Sequence, residues 1–108
     1  MLTPGDVVEL DLGAPTGAEA GSRGRAIIVT ARQILLGNLN VVQVVPLTRT
    51  IRESGSEINI QPDEQNGLDT LSVVQCQHIR AIASSRVKAR IGTTLQQVRE
   101  TIALIIDI

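Results

Sequence analysis

The sequence predicts a mainly β fold: a small antiparallel sheet, either closed into a barrel or strongly bent, with a C-terminal helix. Short runs rich in Ile and Val alternate with turn residues, which is typical of successive short strands. The last apolar residues instead recur at three- and four-residue spacing (Leu95, Val98, Ile102 and Ile105), which predicts one face of a helix. With 108 residues, we expect a single domain over residues 1–108.

The N-terminal part is predicted to hold two strands joined by a long loop. Residues 6–12 alternate apolar and acidic side chains, which predicts a strand with one wet face. Residues 13–24 are rich in Gly, Ala, Ser and Pro, and we expect a mobile surface loop there. Residues 25–31 contain Ile-Ile-Val and predict a buried strand, which a single helical turn over 32–36 follows.

Four further strands are predicted after that turn. The valine-rich segment 40–45 is the clearest, because β-branched side chains favour a packed, pleated strand. Pro46 has no N–H group to donate, so we expect strand pairing to stop there. Shorter apolar runs predict the remaining strands over 57–60, 71–79 and 86–91.

Composition limits how this protein can recognise a ligand. Hydrophobic residues make up 43% of the chain, but Phe, Tyr and Trp are absent, so no aromatic ring can stack on a nucleic-acid base. A single cysteine, Cys76, excludes an internal disulfide and indicates a reducing, cytoplasmic compartment, and we expect this small apolar residue to be buried. We expect no signal peptide, and the apolar run 102–106 is far too short to cross a bilayer.

Charge is distributed unevenly along the chain. The formal net charge is −1, yet all ten Lys and Arg residues lie at or after residue 23. Only Lys88 is a lysine; the others are Arg, whose planar guanidinium suits two-point contact with phosphate. The overall balance differs from that of a protein that binds nucleic acid by charge alone.

The segment after Pro46 carries the most informative chemistry. Thr48, Arg49, Thr50 and Arg52 follow directly from the valine-rich strand. A rigid strand that ends in hydroxyl and guanidinium groups can hold a phosphate at a fixed position. The alternative is an ordinary strand followed by a polar turn.

Six short segments occur in an informative order. They are Gly5-Asp6-Val7-Val8 with Asp11-Leu12-Gly13, Gly17-Ala18-Glu19, Arg25-Ala26-Ile27-Ile28-Val29, Val44-Val45-Pro46-Leu47-Thr48, Ser72-Val73-Val74 through Ile79-Arg80, and Gly92-Thr93-Thr94-Leu95. Together they resemble the MazF/PemK (Kid) toxin family over nearly the whole chain. The resemblance implies a small SH3-like β-barrel of the MazF/CcdB/Kid kind, usually a homodimer.

The resemblance also implies an activity. Members of this family are bacterial ribonucleases that cut single-stranded RNA without a metal or other cofactor. In the implied mechanism the RNA 2′-OH attacks its own phosphate and leaves a 2′,3′-cyclic phosphate and a 5′-OH. The implied protein partner is a MazE-like antitoxin whose acidic C-terminal tail covers the RNA groove. No membrane, and no DNA directly, is expected as a partner.

Three residues are candidates for the catalytic group that the resemblance implies. Thr48 matches the family's Ser/Thr after the third strand, and its hydroxyl can donate to a non-bridging phosphate oxygen. The family's Arg falls on Gly24 when it is counted back from Ile-Ile-Val without a gap. A shift of one residue would bring Arg25, or alternatively Arg23, to the phosphate, but in a strand such a step moves a side chain to the opposite face.

The candidate RNA-binding residues are Glu19, Arg49, Arg52, Gln77, His78 and Arg80. Some of the side chains usual in the family are replaced here: Ala18 stands where Kid-like members carry His, and Gln75 and Gln77 stand for Arg and Asp. Neither glutamine can act as an acid or a base. His78 is either a base that titrates near neutral pH or a polar residue satisfied at a strand end.

Three functions remain open at this point. The first is an active endoribonuclease toxin that cuts messenger RNA at specific sequences. The second is a catalytically weakened relative that binds RNA or an antitoxin peptide. The third is a CcdB-like toxin that binds a protein such as DNA gyrase. The Arg-containing segment 23–52 and its Thr48 favour RNA over the third function.

Overall fold

The computed structural model describes residues 2–11, 23–37, 40–50, 57–94 and 96–106, with the backbone alone for Arg23 and Gln96. Within these ranges the chain forms one β-sheet, two α-helices and two short 3₁₀ turns. They are β1 (Asp6–Asp11), β2 (Arg23–Ile28), α1 (Arg32–Leu35), β3 (Val41–Thr48), β4 (Glu57–Ile60), β5 (Ser72–Gln75), the first 3₁₀ turn (Cys76–His78), β6 (Arg80–Ala83), the second 3₁₀ turn (Ser84–Arg86), β7 (Val87–Thr93) and α2 (Gln96–Ile106).

Neighbouring strands of the sheet are antiparallel and follow the order β4-β5-β3-β2-β1-β7. β3 is central, because β2 lies along one edge of it while β6 and β5 share the other edge. Val41 to Val44 pair with β6, and Leu47 and Thr48 pair with β5. Within the described residues no pairing joins β4 to β7, so the sheet stays open. A mainly β fold with a C-terminal helix is therefore confirmed.

Pro46 does not end the third strand, so that prediction is wrong. β3 continues to Thr48, and Pro46 lies opposite Ala26 of β2. The Val29 N–H donates to the Gln43 carbonyl oxygen (3.0 Å), so these two residues form a hydrogen-bonded pair. Hydrogen-bonded and non-hydrogen-bonded pairs alternate along an antiparallel ladder, and the pair of Ala26 with Pro46 is therefore a non-hydrogen-bonded one. Toward the other edge, Pro46 falls between the residues that pair with β6 and those that pair with β5. Neither neighbour requires an N–H donor at this position.

Other boundaries also differ from the prediction. β2 begins at Arg23, so the last two residues assigned to the first loop belong to a strand. The rest of that predicted loop lies in 12–22, outside the described residues. β5 ends at Gln75, because the chain turns through Cys76–His78 before it enters β6, a strand that was not predicted. Of the four residues of β6 only Ile82 is buried, which leaves almost no apolar pattern to detect.

Apolar side chains pack on both faces of the sheet. The core on the α2 side comprises Val7, Ile27, Val45, Ile60, Leu68, Val74, Cys76 and Val98, and the core on the opposite side comprises Val8, Leu10, Ala26, Ile28, Val42, Val44 and Ile82. Val7 and Val8 of β1 thus enter opposite cores. The predicted wet face of that strand is confirmed at Glu9 and Asp11, which are half-buried, but it is wrong at Val7, which lies in the core to which α2 contributes.

α2 packs on the sheet through the face that its apolar spacing predicts. Val98 is fully buried and Ile102 packs against the same core. Ile105 is 38% exposed, so the predicted face is not buried to its end, and Leu95 lies outside the described residues. Neither described helix is long and apolar enough to cross a membrane.

Asp6 is a buried charge that ties the start of β1 to β7. Its carboxylate accepts hydrogen bonds from the Thr3 backbone N–H (2.8 Å), the Thr3 hydroxyl (2.7 Å) and Arg90 Nε (2.8 Å). Burial alone would raise the pKa of Asp6, but the hydrogen bonds from Arg90 and Thr3 outweigh it and hold the pKa below its usual value of 3.8. The ionised carboxylate therefore stabilises the folded chain.

We expect Asp6→Asn to lower the free energy of unfolding by about 2 kcal/mol near neutral pH, because hydrogen bonds to a charged group are lost. The folded-state pKa is depressed, so this stabilisation is present above the unfolded-state pKa and is lost as the pH falls through the folded-state value. Urea unfolding of both proteins between about pH 7 and about pH 3 should therefore show the difference closing in acid. The exposed Glu64, changed to Gln, serves as a control with no expected difference. A difference that is independent of pH would contradict this role for Asp6.

Candidate functional site

An open cleft of about 340 Å³ lies next to the core on the α2 side. It is bordered by the second half of β1, the start of β2 and the end of β3. Its lining residues are Glu9, Gly24, Arg25, Leu47, Thr48, Arg49 and Ser72. The sheet register aligns three of them, because Glu9 lies opposite Arg25 and Arg25 lies opposite Leu47. One row inward, Val7, Ile27 and Val45 fill the core. The cleft therefore begins where apolar packing gives way to charged side chains.

Arg25 is the most buried cation of the cleft, with a side chain only 28% exposed. Its Nη1 donates to Asp69 Oδ1 at 2.9 Å, and its Nη2 lies 3.9 Å from Glu9 Oε1. A guanidinium has five N–H donors, and the short contact with Asp69 uses one of them. Two carboxylates thus hold the guanidinium in place while other N–H groups stay available in the cleft.

Asp69 joins the two cations of the site. Arg49 Nη2 lies 3.8 Å from the same Asp69 oxygen that Arg25 contacts, although the Arg49 side chain is 70% exposed. The hydrogen bond and the charge of Arg25 lower the pKa of the Asp69 carboxyl from its usual value, so this group is ionised at neutral pH. Asp69 contacts the guanidinium groups but does not itself line the cleft.

A buried turn before β5 fixes the position of Asp69. The Asn66 side chain is 2% exposed, accepts hydrogen bonds from the Asp63 and Leu68 N–H groups (3.1 and 3.0 Å) and donates to the Gln61 carbonyl oxygen (2.9 Å). Leu68 is anchored in the core on the α2 side, and Asp69 follows it directly. The carboxylate is thereby held beside Arg25 by the fold of the turn.

Thr48 is the last residue of β3 and lines the cleft. Its Oγ1 accepts a hydrogen bond from the Thr50 N–H at 3.2 Å. Because a hydroxyl that accepts one hydrogen bond keeps its own hydrogen for donation, Thr48 can donate to an oxygen in the cleft. Strand pairing with Val73 of β5 limits the movement of its backbone.

The described residues offer neither a reactive thiol nor a cluster of metal ligands. Cys76 is buried, as predicted, and burial raises the pKa of its thiol to about 11, so it carries no thiolate at neutral pH. In the described residues no three His, Cys, Asp or Glu side chains are grouped so that they could hold a metal ion. The described chemistry of the site therefore rests on carboxylate, hydroxyl and guanidinium groups.

Comparison with known proteins identifies the family to which this arrangement belongs. Residues 3–107 match the family of PemK-like, MazF-like toxins of type II toxin–antitoxin systems. The chain is a member of this family. The resemblance inferred from its six short segments is thereby confirmed.

Individual members of the MazF-like family are similar in sequence and in fold. Endoribonuclease MazF3 of Mycobacterium tuberculosis (strain CDC 1551 / Oshkosh) is 30% identical over 73 residues, which are 68% of this chain and 69% of that protein. The solved structure of the Mycobacterium tuberculosis toxin MazF-mt6 has a TM-score of 0.67 at 26% identity, covering 95% of this chain and 91% of that one. The MazE-MazF (Form-II) structure from Deinococcus radiodurans has a TM-score of 0.77 at 20% identity, covering 99% and 96%, and supports the fold alone.

The structure brings some of the predicted site residues of this MazF-like chain together. Arg25, Thr48 and Arg49 line one cleft, and Gly24, on which the family's Arg falls by counting, contributes to the same cleft. Glu19 and Arg52 lie outside the described residues. Arg23 opens β2, but its side chain is likewise not described.

The remaining predicted RNA-binding residues do not line this cleft. Gln77 donates to Glu57 Oε2 at 2.9 Å, and Gln75 lies at 3.4 Å from the same oxygen, so both glutamines belong to a polar cluster at the end of β5. His78 is exposed in the 3₁₀ turn that follows, and Arg80 is exposed at the start of β6. Their proposed contacts with RNA require a surface wider than the cleft.

Sequence reasoning missed Glu9, Asp69 and Ser72. In the sequence Glu9 is one position of an alternating strand, and its signal as a site residue is that this strand pairs with one that carries two arginines. Asp69 gave no local signal, because its contact with Arg25 spans 44 positions and depends on the fold of the intervening turn.

Proposed function

We propose that this MazF-like chain is the toxin of a toxin–antitoxin pair and acts as a metal-independent endoribonuclease on single-stranded RNA, messenger RNA in particular. The observation that carries the proposal is the shared cleft of Arg25 and Thr48, which brings a residue with a part-buried guanidinium and a residue with a hydroxyl to the same space. Membership of the MazF-like family and the name of the similar endoribonuclease MazF3 support it.

In the proposed reaction the 2′-OH of one nucleotide attacks the adjacent phosphorus, and the bond to the 5′-oxygen breaks. Negative charge grows on the two non-bridging oxygens of the phosphorane. N–H groups of Arg25 and the Thr48 hydroxyl donate to these oxygens and stabilise the transition state more than the ground state. The products are a 2′,3′-cyclic phosphate and a 5′-OH.

Arg49 is proposed to bind RNA outside the reacting phosphate. It lies next to Thr48 with a 70% exposed side chain, and its weak contact with Asp69 leaves it free to meet a neighbouring phosphate. Arg52, Arg80, Glu19, Gln77 and His78 are proposed to extend this surface along the RNA. Because the chain has no aromatic residues, bases would be recognised by hydrogen bonds and by Arg stacking.

We expect Arg49→Ala to weaken RNA binding while it leaves the chemical step nearly intact. KM should rise about threefold to tenfold with kcat within about twofold, because the lost contact acts equally on bound RNA and on the transition state. The slope of log affinity against log salt should fall by about 0.7, the value for one phosphate contact on a single strand. The exposed Arg86, changed to Ala, is the matched control. A large fall in kcat at unchanged KM would instead place Arg49 at the reacting phosphate.

The proposed partners follow the family. We propose that the protein acts as a homodimer in the bacterial cytoplasm, and that a MazE-like antitoxin inhibits it through an acidic C-terminal tail. Arg49 and Arg25 offer this tail the same guanidinium groups that would bind RNA phosphates, and each of them already contacts one carboxylate of the chain, Asp69. Competition between the acidic tail and RNA is the expected result of this shared site.

Incubation of the purified protein with a long single-stranded RNA in EDTA separates the possible functions. The proposal predicts discrete cuts, and an Arg25→Ala preparation serves as the control for contaminating nucleases. Retained RNA binding without cleavage would favour the weakened binding module over the nuclease. Trapping of DNA gyrase without any effect on RNA would favour the CcdB-like alternative.

A further inference from the structure

The proposed reaction needs a group that removes the proton from the attacking 2′-OH. Among the described residues that line the cleft, Arg25 and Arg49 are cationic, while Thr48 and Ser72 carry alcohols that do not ionise near neutral pH. Gly24 and Leu47 have no titratable group. The carboxylate of Glu9 is the one described lining side chain that can accept a proton at neutral pH.

Building on the proposed function, we infer that Glu9 is the general base of the reaction. Its Oε1 lies 3.9 Å from Arg25 Nη2, so the base stands beside the cation that would bind the scissile phosphate. The 2′-oxygen of a nucleotide lies next to its own 3′-phosphate, so a phosphate held by Arg25 brings the attacking hydroxyl to this carboxylate. Glu9 is 40% exposed, which leaves its oxygens accessible to RNA.

The proton balance of the step is complete without a further reagent. Glu9 takes the proton of the 2′-OH while the bond from the 2′-oxygen to phosphorus forms. The bond from phosphorus to the 5′-oxygen breaks, and this oxygen takes a proton from water. The hydroxide left behind is neutralised by the proton that Glu9 releases, so Glu9 returns to its ionised form.

Among the described residues, the groups that lie beside Glu9 come from both neighbours of β1. On β2, Arg25 lies beside Glu9, and Asp69 contacts both Arg25 and Arg49. On β7 its opposite residue is the uncharged Ala89.

The cations that flank Ala89 are held by other groups. Lys88 donates to the Ser85 carbonyl oxygen, and Arg90 donates to Asp6. Asp11, two residues further along β1, interacts with another group of the chain and is not a free charge. In the described part of the chain, Arg25 is therefore the charged group that lies beside Glu9.

Kinetics of the Glu9→Gln variant test the inference. We expect kcat to fall 10²- to 10³-fold at neutral pH, with KM and the affinity for a non-cleavable 2′-deoxy oligonucleotide within about threefold of wild type. For the wild-type protein, kcat should rise with pH and then level off. For the variant, kcat should keep rising with hydroxide concentration, because hydroxide then removes the 2′-OH proton in place of the missing carboxylate. Glu9→Asp should recover part of the rate together with the levelling.

The control is Asp69→Asn, which removes the other carboxylate beside Arg25 without touching the cleft lining. We expect it to keep the wild-type shape of the pH profile. An equal loss and the same altered profile in Asp69→Asn would mean that Glu9 acts only through the charge of Arg25, and would overturn the inference. Wild-type kinetics in Glu9→Gln, or the altered profile in Glu19→Gln instead, would also overturn it. In all three cases the wild-type protein still cleaves RNA, whereas an inactive wild-type protein would reject the nuclease function itself.

Discussion

Replacing Arg25 by Ala is expected to lower kcat/KM for RNA cleavage about 10³-fold, since a part-buried donor aimed at developing negative charge is among the strongest contributions to catalysis. The side chain is 28% exposed and fixed by Asp69 at 2.9 Å, so its guanidinium needs little rearrangement to meet a phosphorane. Single-turnover cleavage of one defined RNA oligonucleotide measures the loss.

Two further variants make the Arg25 result specific. Arg25→Lys keeps the charge but not the planar pair of donors, and we expect it to recover only part of the rate. Arg23→Ala removes the neighbouring cation that sequence reasoning could not distinguish from Arg25, and we expect a smaller loss, because Arg25 already occupies the cleft. The reverse order of effects would transfer the catalytic role to Arg23.

Thr48→Val is expected to lower kcat about 10²-fold with little change in KM. Valine has nearly the same shape but cannot donate to the phosphorane oxygen, and the loss of one such donor typically has an effect of this size. The β-branched replacement suits the end of β3, so the fold should persist. Single-turnover rates at saturating protein concentration measure the effect on the chemical step.

Thr48→Ser provides the matched control for the hydroxyl. Serine keeps the oxygen that accepts the hydrogen bond from the Thr50 N–H, and it keeps the hydroxyl hydrogen that would be donated to the phosphorane. We therefore expect a rate within about fivefold of wild type. A Val variant as active as the Ser variant would remove Thr48 from the site.

The fold was predictable where local pattern and burial agree. The strand over residues 57–60 and the buried face of the C-terminal helix follow directly from their apolar spacing. β6 was missed because its single buried side chain leaves no alternation to detect. The prediction that β3 ends at Pro46 was wrong because a missing N–H matters only where a neighbouring strand needs a donor. Pro46 lies between the residues of β3 that pair with β6 and those that pair with β5, and the sequence does not show where that division falls.

The site was predictable in part. Its hydroxyl and one flanking cation were evident because Thr48 and Arg49 directly follow a strong strand. The sequence could not decide between Arg23 and Arg25, because a count along the chain leaves the register of β2 uncertain by one residue. In the structure the register is set by Ile27 and Val45 in the core, which carry Arg25 into the row of Glu9. Asp69 required the tertiary fold, because the buried Asn66 turn places it.

The proposed reaction depends on attack of the neighbouring 2′-hydroxyl on the scissile phosphate. The most direct test identifies the ends produced from a short RNA and asks whether the same RNA with a single 2′-deoxy substitution at the cut is still cleaved. Mass spectrometry of products formed in EDTA should give a 2′,3′-cyclic phosphate and a 5′-OH, and the deoxy RNA should bind but remain intact. Cleavage of the deoxy RNA, or products with a 3′-OH and a 5′-phosphate, would contradict that attack and, with it, the roles of Arg25 and Thr48 as donors to the phosphorane oxygens.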